Sequence, residues 1–463
     1  MPLVKFSISG LRSFAKPQEI PLAVPNGQLG SGLTMIVGPN GSGKTTIIEA
    51  LHYLIRTDLP PPFGEALRNS AARGRVSIEF TDDKGNRAVL GTNPSGGGDV
   101  VWRENALNFA RGQVFVVPPR RSFAEPSFQN SEWDRASYAQ NRNPGQLRGL
   151  YSQQFGGRLV RMHNHRAELD PILETIFGRA PEWTIEPTDQ APSHRLRMYA
   201  QSGGAHLSDG IADGMITTLF VADSLYDSQK DALIIIDEPE LSLHPPVQRR
   251  LARVLAEHSR DRQIVYTTHS AHFADWAFVL NGAQLVRVNL AGDGTRVMAL
   301  TSRTVEGVRG FVRNYGNPHI LGLEAREAFF LEDGVVLVEG QEDVMGYQLI
   351  GDHLDEDIAG DFYGWGVGGA GNMPVIAGVL HELGFQRVVG ILDKGQEEIA
   401  KRLAHDFPRY MFLSSPAEDM RQKANSKGPR TTLLDEHWKM RAEFAELARK
   451  LLKDVREGLL KGR

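Results

Sequence analysis

Residues 33–46 constrain this chain more than any other stretch. Leu33, Thr34, Met35, Ile36 and Val37 form a short apolar run that predicts a buried parallel strand. Gly38-Pro39-Asn40-Gly41-Ser42-Gly43-Lys44-Thr45 follows at once and fits G-x-x-x-x-G-K-[ST] at every fixed position. Thr46 to Ile55 then reads as a helix with an apolar face. Strand, glycine loop and helix in this order form a phosphate-binding loop. Gly38, Asn40, Gly41, Gly43 and Thr46 are expected to surround a nucleotide. The glycines let backbone N–H groups turn toward the phosphates, and the helix N-terminus adds partial positive charge. Lys44 is expected to reach the outer phosphates, and the Thr45 hydroxyl to sit on Mg²⁺.

Composition narrows the setting. The 463 residues suffice for two or three domains, and a hydrophobic share of 41 % supports real cores. No stretch approaches the roughly 18 apolar residues of a membrane span. The start, Met1-Pro2-Leu3-Val4-Lys5-Phe6, lacks signal-peptide character. There is no cysteine, which removes disulfides, Cys-zinc sites and thiol chemistry, and points to the cytoplasm. A net charge of −4 argues against indiscriminate coating of nucleic acid but leaves room for a local basic surface.

Val4 to Ser9 alternates like an edge or half-buried strand. Residues 75–80 and 86–90 predict a hairpin around Asp82-Asp83-Lys84-Gly85, and Gly91 to Asp99 a surface loop. Val114 to Val117 predicts a buried strand. Residues 103–166 hold ten arginines, no lysine and four acids, with Phe123, Phe128, Trp133, Tyr138 and Tyr151 interleaved. Two readings stand side by side: a phosphate-backbone surface for DNA, or a solvated helical insertion whose arginines pair with carboxylates elsewhere.

Leu207-Ser208-Asp209-Gly210 precedes a helix through Ile211, Met215, Leu219, Phe220 and Leu225. Ala232 to Ile236 is a strong buried strand closed by Asp237-Glu238-Pro239. Two carboxylates at the end of such a run need a cation or a polar site to face. Asp237 fits an aspartate that holds Mg²⁺ through water, and Glu238 a general base for the attacking water. After a helix from Val247 to Glu257, Gln263 to Thr268 is a further strand, ending at His269-Ser270. His269 in this order reads as a sensor of the γ-phosphate.

This set resembles the ABC-type ATPase heads of RecF, Rad50 and SMC proteins, over roughly residues 1–300. The resemblance implies two heads sandwiching ATP, so that Ser208 and Gly210 of one signature touch the γ-phosphate bound by the other. Ser242, Leu243 and His244 lie where the D-loop of the family would be. The roughly 160 residues between phosphate loop and signature lack sustained heptads, which excludes a long coiled-coil arm.

Further on, Val335 to Val338 is a strand ending in Glu339-Gly340, and a helix from Gln341 carries Asp343. A glycine-rich turn (364–372) leads into a helix from Met373 to Leu383. Val388 to Leu392 is a strand ending in Asp393, and Tyr410 to Leu413 another, before Glu418 and Asp419. Alternating strands and helices predict a small parallel sheet with carboxylates converging on one rim. This part resembles a Toprim domain over about residues 333–420, except that Asp-x-Asp is Asp393-Lys394-Gly395 here. A head followed by a Toprim domain is the order of the OLD (overcoming lysogenization defect) family nucleases, many of which act in bacterial anti-phage defence. The resemblance implies that Glu339 and Asp393 are catalytic. It also implies a second divalent metal site (Mg²⁺ or Mn²⁺) drawn from Glu339, Asp343, Asp393, Glu418 and Asp419. Thr431 to Arg463 reads as helical, with Met440, Phe444, Leu447, Leu451 and Val455 on one face.

The expected fold class is therefore α/β. An ABC-type head spans 1–300, with a helical insertion or dimerisation region at about 120–200. A junction (301–332), a Toprim-like parallel sheet (333–425) and a C-terminal helix (426–463) follow. The expected function is ATP hydrolysis coupled to a metal-dependent endonuclease, in homo-oligomers joined through their heads, with DNA as partner and no membrane. Two alternatives stay open: an ATPase sensor or scaffold controlling a separate effector protein, and a RecF-like DNA-repair ATPase.

Overall fold

A computed structural model describes residues 2–55, 62–93, 98–107, 113–117, 128–129, 155–187, 193–199, 204–207, 211–313, 321–331, 334–422 and 430–460. The chain forms two compact units, Met1–Val297 and Met298–Arg463.

The first unit opens with β1 (Leu3–Ser9) and β2 (Gln18–Pro21). Leu3, Phe6 and Ile8 of β1 are buried, as its alternation implies. Then come β3 (Leu33–Val37), buried throughout, and α1 (Lys44–His52), which ends earlier than expected and tightens into a 3₁₀ turn at Tyr53–Ile55. β4 (Ser77–Asp82), β5 (Arg87–Thr92) and β6 (Val100–Asn105) complete an antiparallel sheet in the order β2-β1-β4-β5-β6. The Asp82 carboxylate accepts the N–H groups of Lys84 and Asn86 and closes the β4–β5 turn. Gly91 and Thr92, expected in a loop, form the buried end of β5.

β7 (Val114–Val117) and β8 (Phe128–Gln129) precede α2 (Phe155–Asn164) and α3 (Arg166–Phe177). Next come β9 (Trp183–Pro187), β10 (Ser193–Tyr199) and β11 (Ala205–Leu207). β10 pairs antiparallel with β8, β9 and β11, so the stretch at 120–200 is not purely helical. The period-two signal lay in Arg195-Leu196-Arg197-Met198, where Leu196 and Met198 are buried.

The remaining elements are α4 (Asp213–Tyr226), β12 (Leu233–Asp237), α5 (Pro245–His258), β13 (Gln263–Thr267), α6 (Trp276–Leu280), β14 (Gln284–Ala291) and β15 (Gly294–Ala299). A six-stranded sheet takes the order β15-β14-β3-β13-β12-β7. The pairs from β14 to β7 are parallel, which matches their continuous apolar runs. Gln263 ties the two sheets: its amide accepts the N–H of Leu3 at 2.7 Å and donates to the carbonyls of Leu3 and Ala23.

The arginine-rich stretch divides. Arg158 is wholly buried, with Nη2 2.8 Å from Asp223 Oδ1 and 2.6 Å from Asp227 Oδ2. It therefore pins α2 to α4 and offers no phosphate contact, which corrects the DNA reading at this position. Arg161 approaches Asp227 at 3.5 Å, and Arg166 pairs with Asp170 at 2.9 Å while covering the Trp183 ring. Arg103 donates to the carbonyl of Thr92. Arg111, Arg120, Arg121, Arg135, Arg142 and Arg148 lie outside the described residues, as do Phe123, Trp133, Tyr138 and Tyr151. Removing one partner of a buried pair strands the other charge. Arg158→Met is expected to destabilise the first unit by about 3–5 kcal/mol, read as a shifted denaturant midpoint, whereas Arg166→Met is expected to cost under about 1 kcal/mol.

In the second unit, the stretch expected as a junction is packed structure: α7 (Ser302–Arg313), with Val308 fully buried, and α8 (Leu323–Glu327). β16 (Val335–Leu337), α9 (Gln341–Leu354), β17 (Asp361–Phe362), α10 (Met373–Glu382), β18 (Val388–Leu392), α11 (Glu397–Asp406) and β19 (Met411–Ser414) alternate as expected. They form an all-parallel sheet in the order β17-β16-β18-β19. β20 (Asp419–Arg421) pairs in parallel with β21 (Thr432–Leu434), so the C-terminal region is not one helix. Among the described residues there, α12 (Ala445–Leu460) is the one α-helix. Its buried stripe is Ala448, Leu451, Leu452, Val455 and Leu459, which leaves Leu447 off the stripe and 52 % exposed. Among the described residues, no helix is long and apolar enough to cross a membrane.

Candidate nucleotide site and acidic rim

Strand register assembles the first site. Asp237 lies opposite Thr267, and Thr267 opposite Ile36, so the ends of β12, β13 and β3 share one edge of the sheet. The loop after β3 is pressed from behind. A Cβ on Gly38 (φ +142°) would lie 2.1 Å from the carbonyl oxygen of Val288, and one on Gly43 (φ +107°) 2.9 Å from Thr295 Oγ1. Gly41 (φ +74°) has open space within 4 Å on that side. Thr295 Oγ1 donates to the Ser42 carbonyl at 3.0 Å and lies 2.7 Å from Ser13 Oγ, bracing the loop from β15.

Lys44 Nζ donates to the carbonyls of Gly38 and Pro39, both at 2.9 Å. Burial lowers its pKa to about 8, against the opposing pull of Glu238, Asp237 and Glu240. Ser42 Oγ is buried and makes no hydrogen bond. A cation held on carbonyls beside an unsatisfied hydroxyl fits a phosphate chain.

Asp237 is buried and receives the Thr267 hydroxyl. Glu238 takes a left-handed conformation (φ +50°), with its N–H directed at Thr267 O (3.2 Å) and Oγ1 (3.1 Å). A second left-handed residue, Ser242 (φ +60°), completes a tight exit turn. His269 Nε2 lies 3.6 Å from Glu238 Oε1. Burial, reinforced by the charge of Lys44, lowers the His269 pKa to about 4, so the imidazole is neutral near pH 7. Lys44, Asp237, Glu238 and His269 thus meet at one edge, with Thr45 and Thr46 beginning α1 there. Ser208 and Gly210 lie outside the described residues. Gly214, in the first turn of α4, presses on the exit turn: a Cβ there would lie 2.6 Å from Ser242 O. Sequence reading missed Thr267, Thr295, Glu240 and Gln248, because each acts across the fold and belongs to no local motif.

The second unit gathers its acids less completely. Glu339 follows β16, where its Oε1 accepts the N–H of Asp393 (3.0 Å) and its Oε2 that of Ala370 (3.3 Å). It thereby joins the ends of β16 and β18 to the glycine turn. Asp343 accepts the Gly340 N–H at 2.8 Å as a cap of α9. Burial raises its pKa to about 6, with Glu339, Asp419 and Glu342 adding repulsion. Glu418 engages Thr431, accepting its N–H at 2.9 Å, and that bond holds the carboxyl below its usual range. Asp419 lies 3.7 Å from Arg430. Gly395 has φ +98°, which a side chain would strain, and its N–H donates to Glu397 at 3.0 Å. Glu339, Asp343 and Asp393 therefore share a rim, while Glu418 is bonded elsewhere. Among the described residues, no three His, Asp or Glu side chains converge closely enough to hold a metal ion.

The family described as "AAA domain, putative AbiEii toxin, Type IV TA system" matches residues 33–275. The chain belongs to this family. The match begins at β3, and within it lie the phosphate loop, the carboxylate pair and His269, so the first unit of this AAA-domain protein is an ABC-type ATPase head. An OLD nuclease of Thermus scotoductus is 27 % identical over 422 residues, covering 77 % of each chain. The Septu protein PtuA of Bacillus thuringiensis is 21 % identical over 327 residues, covering 65 % of this chain and 81 % of that one. DNA repair protein RAD50 of Saccharomyces cerevisiae is 49 % identical over 59 residues, 13 % of this chain and 4 % of its own length. This AAA-domain chain is an ATPase related to these proteins.

Proposed function

We propose that this ATPase works as a pair of heads around ATP, and that hydrolysis switches a Toprim-like second unit serving as a scaffold for a separate effector protein. The placement of Lys44, Asp237, Glu238 and His269 on one sheet edge supports ATP binding and hydrolysis, and the pairing follows from the resemblance to ABC-type heads. Lys44 would hold the outer phosphates, and Thr45 and Asp237 would hold Mg²⁺. Bound Mg²⁺ supplies neutralisation of charge on the β- and γ-phosphates. Glu238 takes the proton of the attacking water, and neutral His269 orients the γ-phosphate. Ser208 and Gly210 come from the facing copy. The similarity to PtuA and to an OLD nuclease supports a defence role with DNA as a partner.

The scaffold reading of the second unit rests on Glu339. Its carboxylate already accepts two backbone N–H groups, which gives it a structural task independent of metal. The nuclease reading, which would use Mg²⁺ or Mn²⁺, has one observation behind it: Glu339, Asp343 and Asp393 share a rim. Incubating purified protein with supercoiled plasmid, ATP and either metal separates the two. The scaffold reading expects no nicking; nicking abolished by Asp393→Ala with ATP turnover intact would establish the nuclease. Gly395→Asp supplies the acid that the resemblance lacks, at a left-handed position. It is expected to cost about 1 kcal/mol of stability, read by denaturation of the second unit, and to leave plasmid uncut.

A further inference from the structure

We propose that Glu240 and Gln248 are positioning residues for His269, forming a two-strut brace between the turn that leaves β12 and the loop that leaves β13. The inference rests on the role given to His269 above. The Glu240 Oε1 atom accepts the backbone N–H of His269 at 2.6 Å. The Thr268 hydroxyl also bonds to this carboxylate, next to His269 in the chain. One residue further on, the Ser270 hydroxyl donates to Gln248 Oε1 at 2.6 Å, and Gln248 Nε2 donates to the Leu243 carbonyl at 2.8 Å. One strut comes from within the exit turn of β12 and the other from α5, so two consecutive residues of the His269 loop are tied to the segment that carries Glu238.

The residue types suit the task. A backbone N–H just past a strand end has no ladder partner, and a carboxylate is the strongest acceptor a side chain offers it. Gln248 must donate to a carbonyl and accept from a hydroxyl at once, which an amide does and a carboxylate does not. Carboxylate burial raises the Glu240 pKa to about 7, the mark of a group kept at some cost in this place. Glu238 and His269 stand 3.6 Å apart on two different strand exits. The Glu238 N–H holds its exit to Thr267 of β13, and the brace holds the His269 loop beyond that point.

The test is steady-state ATP hydrolysis by the full chain, with nucleotide affinity read from trinitrophenyl-ATP fluorescence. Glu240→Ala and Gln248→Ala are each expected to lower kcat by about 10- to 100-fold, the scale of small misplacements in an active site, with affinity changed less than about twofold. Glu240→Gln keeps an acceptor oxygen and is expected to recover most of the loss. In a His269→Ala background, Glu240→Ala is expected to add nothing, because its effect passes through His269. A fully active Glu240→Ala, an effect additive with His269→Ala, or a Glu240→Gln as slow as the alanine variant would each overturn the brace. A His269→Ala enzyme at the wild-type rate would instead remove the role of His269 and the brace with it. Should Glu240→Ala not fold, Gln248→Ala in both backgrounds decides the matter alone.

Discussion

Glu238→Gln is expected to slow ATP hydrolysis by about two to four orders of magnitude while ATP remains bound. The amide keeps the shape of the carboxylate but cannot take a proton from water. Asp237, which is buried and receives the Thr267 hydroxyl, is untouched, so the metal side of the site survives. The left-handed backbone at 238 survives as well, since its N–H remains directed at Thr267. Loss of a negative charge beside the triphosphate favours the bound state further. Heads that bind but do not hydrolyse accumulate as pairs, so light scattering should report a doubled mass on adding ATP and no decay over the wild-type turnover time. A wild-type rate in this variant would assign the base to another carboxylate.

Lys44→Ala is expected to weaken ATP binding at least about 100-fold, equivalent to about 2.8 kcal/mol. The ammonium is already at the loop, held by two carbonyls, and delivers its charge to the phosphates without a large search. No other residue of the loop supplies a cation. The wild-type protein adds a check on sign. Because burial lowers the Lys44 pKa from its ordinary value to about 8, the free lysine is charged below pH 8 and discharges as pH rises through it. Affinity for ATP should therefore weaken above about pH 8 in the wild type, and this component should vanish in Lys44→Ala. Isothermal titration across pH 7–9 measures both. Equal affinity in the two proteins would end the assignment of this site.

Much of this architecture was legible because its strands are uninterrupted apolar runs. Leu33–Val37, Leu233–Asp237 and Val388–Leu392 each announce a strand buried on both faces, and their polar ends announce the site edge. Arg158 was not legible. Its partners Asp223 and Asp227 lie more than sixty positions away, and an arginine in a basic stretch looks the same whether it meets phosphate or aspartate. Gly395 was legible as a departure from Asp-x-Asp, but its left-handed backbone angle was not, because only the fold imposes it. β20 and β21 were missed for a different reason: three-residue strands are too short for any periodicity to declare them.

The position of β3 has a consequence for synthesis. It is sealed on one side by β13 and on the other by β14, which ends only at Ala291. A growing chain that has reached residue 275 already holds the whole family-matched region, yet lacks Val288, whose carbonyl backs Gly38. Until Gln284–Ala291 arrives, β3 carries an unpaired edge on a fully apolar strand, the kind of surface that aggregates or recruits chaperones. Contacts of such long sequence separation also close slowly. A bound nucleotide can therefore stabilise this fold only late in its making.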